Sequence, residues 1–173
     1  HFLLALEEAG VVADDKKIMH LLEQAHHLFG VEATMEQIIV PFLRRIGELW
    51  CEKKWGEYQE AVSSQTIRDF LANLRRHFYI PENAPLVVGS CLPNERHEIP
   101  MQILLVQCML RGYRTLMLGP APAPTAIEST VSLANPAIVL LTASTHAVWE
   151  DNGEALRALD AFAKTMPHIK FFI

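Results

Sequence analysis

Cysteine is scarce in this 173-residue chain. Cys51, Cys91 and Cys108 are the only three, and no two form a Cys-x-x-Cys pair. That excludes a disulfide framework and a zinc site built on cysteine pairs, and it points to a reducing, cytoplasmic setting. Basic residues are also outnumbered, 15 Lys and Arg against 20 Asp and Glu, which gives a net charge of −5 and a pI near 5.9. A nucleic-acid binder shows a basic face, so no direct nucleic-acid contact is expected. Arg75-Arg76-His77 reads instead as favourable cations at a helix C-terminus. No apolar run reaches the length of a membrane span, and no signal peptide is expected. Gly-x-Ser-x-Gly, His-Glu-x-x-His, the P-loop and Gly-x-Gly-x-x-Gly are all missing. With no nucleophile beside a base, the chain is not read as an enzyme.

Half of the residues are apolar, enough for a real core and too many for global disorder. Helical spacing dominates the first 80 residues. Residues 2–9 predict a short helix closed by Gly10. Asp14-Asp15 predict the start of a second, over 15–29, with Ile18, Leu21, Leu22, Ala25 and Leu28 inside and Gly30 as its stop. Thr34 and Gln37 have the spacing of a capping box for a third helix. Its inner face is Ile38, Ile39, Phe42, Leu43, Ile46, Leu49 and Trp50, and Pro41 marks a kink or a start. A fourth helix follows over 57–77. Short links between four helices predict a bundle over residues 1–80.

Pro81 and Pro85 then bracket a linker, and the rhythm changes. Strands are predicted at 86–90, 113–118, 137–142 and 169–173. Helices are predicted at 99–111, at 125–134 with Thr125 as cap, and at 153–165; 119–124 is a Pro/Ala loop. Alternating strands and helices imply a parallel sheet with right-handed crossovers. The fold class is therefore α/β: an N-terminal four-helix bundle, then a doubly wound, Rossmann-like domain over 85–173. That domain is expected to be cut short at its C-terminus, and the chain to be a piece of a longer protein.

Open parallel sheets bind ligands at the C-terminal ends of their strands. The first such turn, Ser90 to Pro100, contains one imidazole, His97, with Glu95 two residues before it. A carboxylate there can take one ring proton and leave the other nitrogen for a metal. Thr142 and Ser144 follow the third strand, with hydroxyls for polar ligand groups or for loop capping. Trp50, Trp55, Tyr58 and Glu60 cluster where the third and fourth helices meet, as core or as cover for a flat ligand.

The order of these parts resembles the cobalamin-binding module, in which a helical bundle precedes an α/β domain whose first loop carries Asp/Glu-x-His-x-x-Gly. The loop here reads Glu95-Arg96-His97-Glu98-Ile99-Pro100, and Thr142-Ala143-Ser144 stands where the module has Ser-x-Leu/Thr. Trp50 and Glu60 keep the interval seen in light-sensing, B12-dependent repressors of the CarH/LitR type. The resemblance implies that His97 is an axial ligand to Co or Fe. It implies further that Trp50 covers the opposite cofactor face with Glu60 nearby, and that Thr142 and Ser144 line the cofactor tail. Ala61 replaces a histidine of that pattern, Pro100 a glycine and Thr142 a serine. A similar divergent branch is the sensor domain that holds heme instead of cobalamin in AppA-type photosynthesis antirepressors. The expected function is thus a light- or redox-responsive sensor domain. It would bind heme or cobalamin and signal to a transcription factor or repressor. A pocket-less scaffold that binds a repressor is the first alternative, and a corrinoid-carrying methyltransferase subunit the second.

Overall fold

The computed structural model describes residues 1–123, 125–149 and 153–173. Pro124, the last residue of the predicted Pro/Ala loop, lies outside them. The chain divides into two compact units, His1–Arg76 and His77–Ile173.

The first unit is helical: α1 (Phe2–Val11), α2 (Asp15–Thr34), α3 (Val40–Cys51) and α4 (Glu57–His77). Asp14 caps α2 as expected, its carboxylate accepting from the Lys17 N–H at 2.9 Å. Other start and stop signals act differently. Gly10 does not close α1; it lies buried inside the helix, where its missing side chain makes room for Trp55. Gly30 (φ 79°, ψ 173°) is non-helical and breaks the helix where a stop is expected, and helical geometry resumes beyond the kink. Thr34 has helical angles and forms no capping box. Its hydroxyl donates back to the Gly30 carbonyl at 2.8 Å, the local bond that competes with capping.

Residues Met35–Ile39 make a π-helical turn between α2 and α3, and Pro41 follows in the first turn of α3. Proline has no N–H to donate and its ring crowds the carbonyl four residues back, so a wider turn upstream accommodates it. Ile18, Leu22, Ala25, Ile38, Ile39, Phe42, Ile46 and Leu49 are buried as the spacing predicts, while Leu28 and Trp50 are exposed. The Arg45 guanidinium forks onto Glu7 at 2.9 and 3.0 Å and ties α3 to α1. That bond holds the Glu7 carboxyl below the usual carboxylate range.

The second unit alternates β1 (Leu86–Cys91), α5 (Ile99–Leu110), β2 (Arg114–Gly119), α6 (Ala126–Ala134), β3 (Ile138–Thr142), α7 (Glu154–Lys164) and β4 (Lys170–Phe172). All pairings are parallel, in the order β2-β1-β3-β4. Thr125 sits in the left-handed region (φ 64°) and makes no side-chain cap. Alternation along the strands separates two cores. Val139 and Leu141 of β3 join Ile127, Val131 and Leu159 from α6 and α7. Val87 of β1 joins Met101 and Leu105 of α5 on the other face. No helix among the described residues is long and apolar enough to cross a membrane.

Gly89 lets α5 approach β1. A Cβ there would lie 2.6 Å from Met101 Sδ and 2.8 Å from Leu105 Cδ2, and both side chains are fully buried. Gly89→Ala is therefore expected to destabilise the fold by about 1–3 kcal/mol through overpacking. A lowered urea midpoint at unchanged slope is the measurement that checks it.

Candidate functional site

The loop after β1 begins with a tight turn. Leu92-Pro93-Asn94-Glu95 has proline second and Asn94 at φ +68° third, and the Glu95 N–H donates to the Leu92 carbonyl at 3.0 Å. This is the pattern of a type II turn. It is followed at once by α5, with Pro100 in the first helical turn, where a missing N–H costs nothing. Pro100 is exposed and acts as a helix starter.

Glu95 is fully buried, yet every polar atom of its side chain is partnered. Oε1 accepts the His97 backbone N–H at 2.8 Å and faces His97 Nδ1 at 2.7 Å. Oε2 accepts the backbone N–H groups of Ser144 (2.6 Å) and Thr145 (2.8 Å) and the Thr145 hydroxyl (3.1 Å). The Glu95 carbonyl accepts from the Ala121 N–H at 2.7 Å. One residue thus joins the loops that follow β1, β2 and β3.

Burial alone would push the Glu95 carboxyl up. The bonds from His97, Ser144 and Thr145 outweigh it and hold the pKa at about 2. An ionised carboxylate only accepts, so Nδ1 of a neutral His97 must carry the ring proton and Nε2 the lone pair. The His97 side chain is 63% exposed, so this nitrogen stands at an open edge of the sheet.

Of the residues singled out from sequence, the structure brings Glu95, His97 and Ser144 together. Thr142 ends β3 opposite Cys91 and its hydroxyl lies 3.8 Å from the Cys91 sulfur. Cys91 is buried, and burial pushes its thiol up, as expected for an inert core cysteine; Cys51 is exposed. Trp50 and Glu60 belong to the helical unit. The Trp50 side chain is half-exposed in the last turn of α3, and Glu60 Oε1 accepts from the Ser64 hydroxyl at 2.8 Å. Thr145 was not singled out. Its link to Glu95 spans 50 residues, beyond the reach of any local spacing signal.

Among the described residues, no group of three or more His, Cys, Asp or Glu is placed to hold a metal ion. A single tautomer-fixed imidazole suits a metal whose other positions are filled by a macrocycle. Gln102, near the start of α5, is buried with Oε1 unpartnered. The fold and the site therefore define a parallel α/β domain with a tethered imidazole, His97, at its ligand edge, preceded by a helical unit.

Residues 4–75 match the family described as B12 binding domain. The chain superposes on the monomethylamine corrinoid protein of Methanosarcina barkeri with a TM-score of 0.71 at 13% identity, over 96% of this chain and 80% of that one. This likeness establishes the fold as the Rossmann-like B12-binding type. Two further similar structures superpose with a TM-score of only 0.46 and carry no argument. One is a cobalamin-binding protein from Desulfitobacterium hafniense DCB-2, at 15% identity over 99% of this chain and 82% of that one. The other is the methanol:cobalamin methyltransferase complex MtaBC from Methanosarcina barkeri, at 14% identity over 98% and 66%. No curated protein matches the chain by sequence.

The clamp makes a pH prediction. The folded pKa of Glu95 lies below the ordinary 4.5, so its contribution to stability is complete above about pH 4.5 and is lost as pH falls toward 2. The shift corresponds to about 3 kcal/mol. Denaturant titrations between pH 6 and 2.5 should show this loss, and Glu95→Gln should flatten the profile while lowering stability at pH 6.

Proposed function

We propose that this chain is a corrinoid-carrying module that binds cobalamin through His97 and works with a separate protein partner. The observation that carries the reading is the Glu95–His97 clamp, a buried anion fixing Nδ1–H so that Nε2 is the free ligand nitrogen. The family match over residues 4–75 and the B12-binding-type fold support corrin as the macrocycle, and they lend nothing to heme, a photoreceptor role or an antirepressor role.

When bound, the corrinoid supplies a cobalt centre that accepts and releases an alkyl group. The chain's own residues bind and orient. His97 Nε2 would be the protein nitrogen that holds the cobalt. Glu95 holds the proton at His97 Nδ1, and a proton placed there rather than shared with solvent keeps the imidazole a better donor at Nε2. Ser144 and Thr145 fix the Glu95 carboxylate, and Thr142 stands beside that loop. Trp50 and Glu60 lie in the helical unit, where the half-exposed Trp50 ring offers an aromatic surface for a flat ligand. The module itself carries the cofactor; a partner protein carries the substrate.

The corrinoid protein whose fold this chain shares favours a carrier in a methyl-transfer system as the particular role. The interval from Trp50 to Glu60 favours a second reading, a regulatory sensor domain that passes cofactor state to a transcription factor.

Titration with aquocobalamin, followed by absorption, should give a spectral change in the parent chain. His97→Ala should abolish that change and weaken binding by at least about tenfold, or roughly 1.4 kcal/mol. Hemin titrated in parallel should show no Soret shift that depends on His97. A His97-dependent Soret band with no corrin response would reverse the assignment.

A further inference from the structure

We infer that Ala121 is a positioning residue for His97: its backbone N–H holds the Glu95 carbonyl and so fixes the peptide that leads to the imidazole. The inference rests on the reading of His97 as the ligand nitrogen. Glu95 has three kinds of polar group, and all are used. Its carboxylate takes His97, Ser144 and Thr145. Its N–H donates to the Leu92 carbonyl at 3.0 Å, and its carbonyl accepts from the Ala121 N–H at 2.7 Å. The last of these partners comes from the loop after β2. Peptide units are planar, so holding the Glu95 carbonyl also sets the direction of the next N–H, at Arg96, one residue before His97. Without that hold, the peptide could rotate and carry the His97 N–H and ring away from Glu95 Oε1.

The end of β2 departs from regular backbone three times before it delivers this N–H. Gly89 pairs with Met117 but Ser90 pairs with Gly119, so Leu118 is an extra residue, a bulge. Bulges are rare in parallel pairs and recur beside functional sites, where they re-aim the chain. Gly119 then takes φ +87°, and Ala121 takes φ +42°. The second is the costly one. A Cβ is crowded in the left-handed region, and Pro122 follows, whose ring restricts the residue before it to extended backbone. Such a conformation persists only where its surroundings over-determine it. Ala121 is exposed, so packing of its side chain does not account for the conformation. Its N–H does. Pro120 and Pro122 have no N–H to give, so of these three residues only Ala121 can donate, and the Glu95 carbonyl is where it donates.

The test replaces the Pro120–Ala121 amide with an ester, which removes the N–H and keeps every side chain. The readout, free of cofactor, is NMR of the labelled His97 ring nitrogens at about pH 8.5, where imidazole is neutral. In the parent chain His97 should carry its proton at Nδ1. The ester should shift it toward a mixture of the two tautomers. Ala121→Gly, which keeps the N–H and suits a left-handed backbone, should leave it unchanged. A Cβ at Gly119 would meet nothing within 4 Å, so Gly119→Ala strains the backbone without a clash. It should act in the ester's direction, and it stands in for the ester should that chain fail to fold. An unchanged His97 ring in the ester, or in Gly119→Ala where that stands in, overturns the inference whatever the loss of stability, and reduces Ala121 to a structural contact. Aquocobalamin affinity then separates the inference from the reading beneath it. The ester should weaken binding by about tenfold, as loss of an outer-shell partner does. A tautomer change with no loss of affinity upholds the positioning and removes His97 as the ligand nitrogen.

Discussion

The α/β unit depends on one buried carboxylate. A glutamate taken out of water without partners would cost several kcal/mol or would neutralise itself. Glu95 does neither, because three backbone N–H groups, a hydroxyl and an imidazole converge on it. The dependence is mutual. Withdraw the carboxylate and the amides of Ser144 and Thr145 lose an acceptor, the His97 ring loses its tether, and the loops after β1 and β3 lose the bond between them. The site is built from loop backbone, yet its geometry is as constrained as that of a strand. The Pro93-Asn94 turn aims Glu95 inward, and the parallel register that pairs Cys91 with Thr142 brings Ser144 and Thr145 within its reach.

The helical unit is held by a different kind of constraint. Its links between helices are packing contacts, the charged fork of Arg45 on Glu7 and the Gln59 amide on the Val11 carbonyl. The closest contact is steric, a tryptophan ring against a glycine. Close packing of this kind tolerates little change in volume, so a helix-interior glycine, ordinarily a small liability, becomes the residue α1 can least replace.

Much of this was legible in the sequence, and the exceptions have a common cause. Among the described residues, periodicity located the seven α-helices and four strands but not the 3-10 turn at His146–Trp149, because it reports burial, and burial follows the 3.6- and 2-residue rhythms. Pairing Glu95 with His97 needed only a two-residue interval and the chemistry of imidazole. Gly10, Thr34 and Thr125 look like local punctuation in the sequence and do not act as such. Their roles are set by partners or by chain geometry outside the local pattern: Trp55 is 45 residues from Gly10, and the Thr34 hydroxyl prefers the Gly30 carbonyl to a cap. Thr145 was passed over for the same reason, since only the register of β1 and β3 puts it beside Glu95. Leu28 and Trp50 followed the helical spacing and are exposed all the same, because spacing defines a stripe but not whether anything covers it.

The two units also divide the information about a ligand. The α/β unit offers a nitrogen whose proton is accounted for, and a tethered imidazole is chemically suited to iron and to cobalt alike. That site alone does not choose between them. The family match lies instead in the helical unit, over residues 4–75, a span that includes Trp50, Glu60 and the turn between α3 and α4. It follows that replacements such as Pro100, which is exposed in the first turn of α5 and leaves the Glu95–His97 clamp undisturbed, weigh little against corrin. Ala61 lies within the span that matches the family.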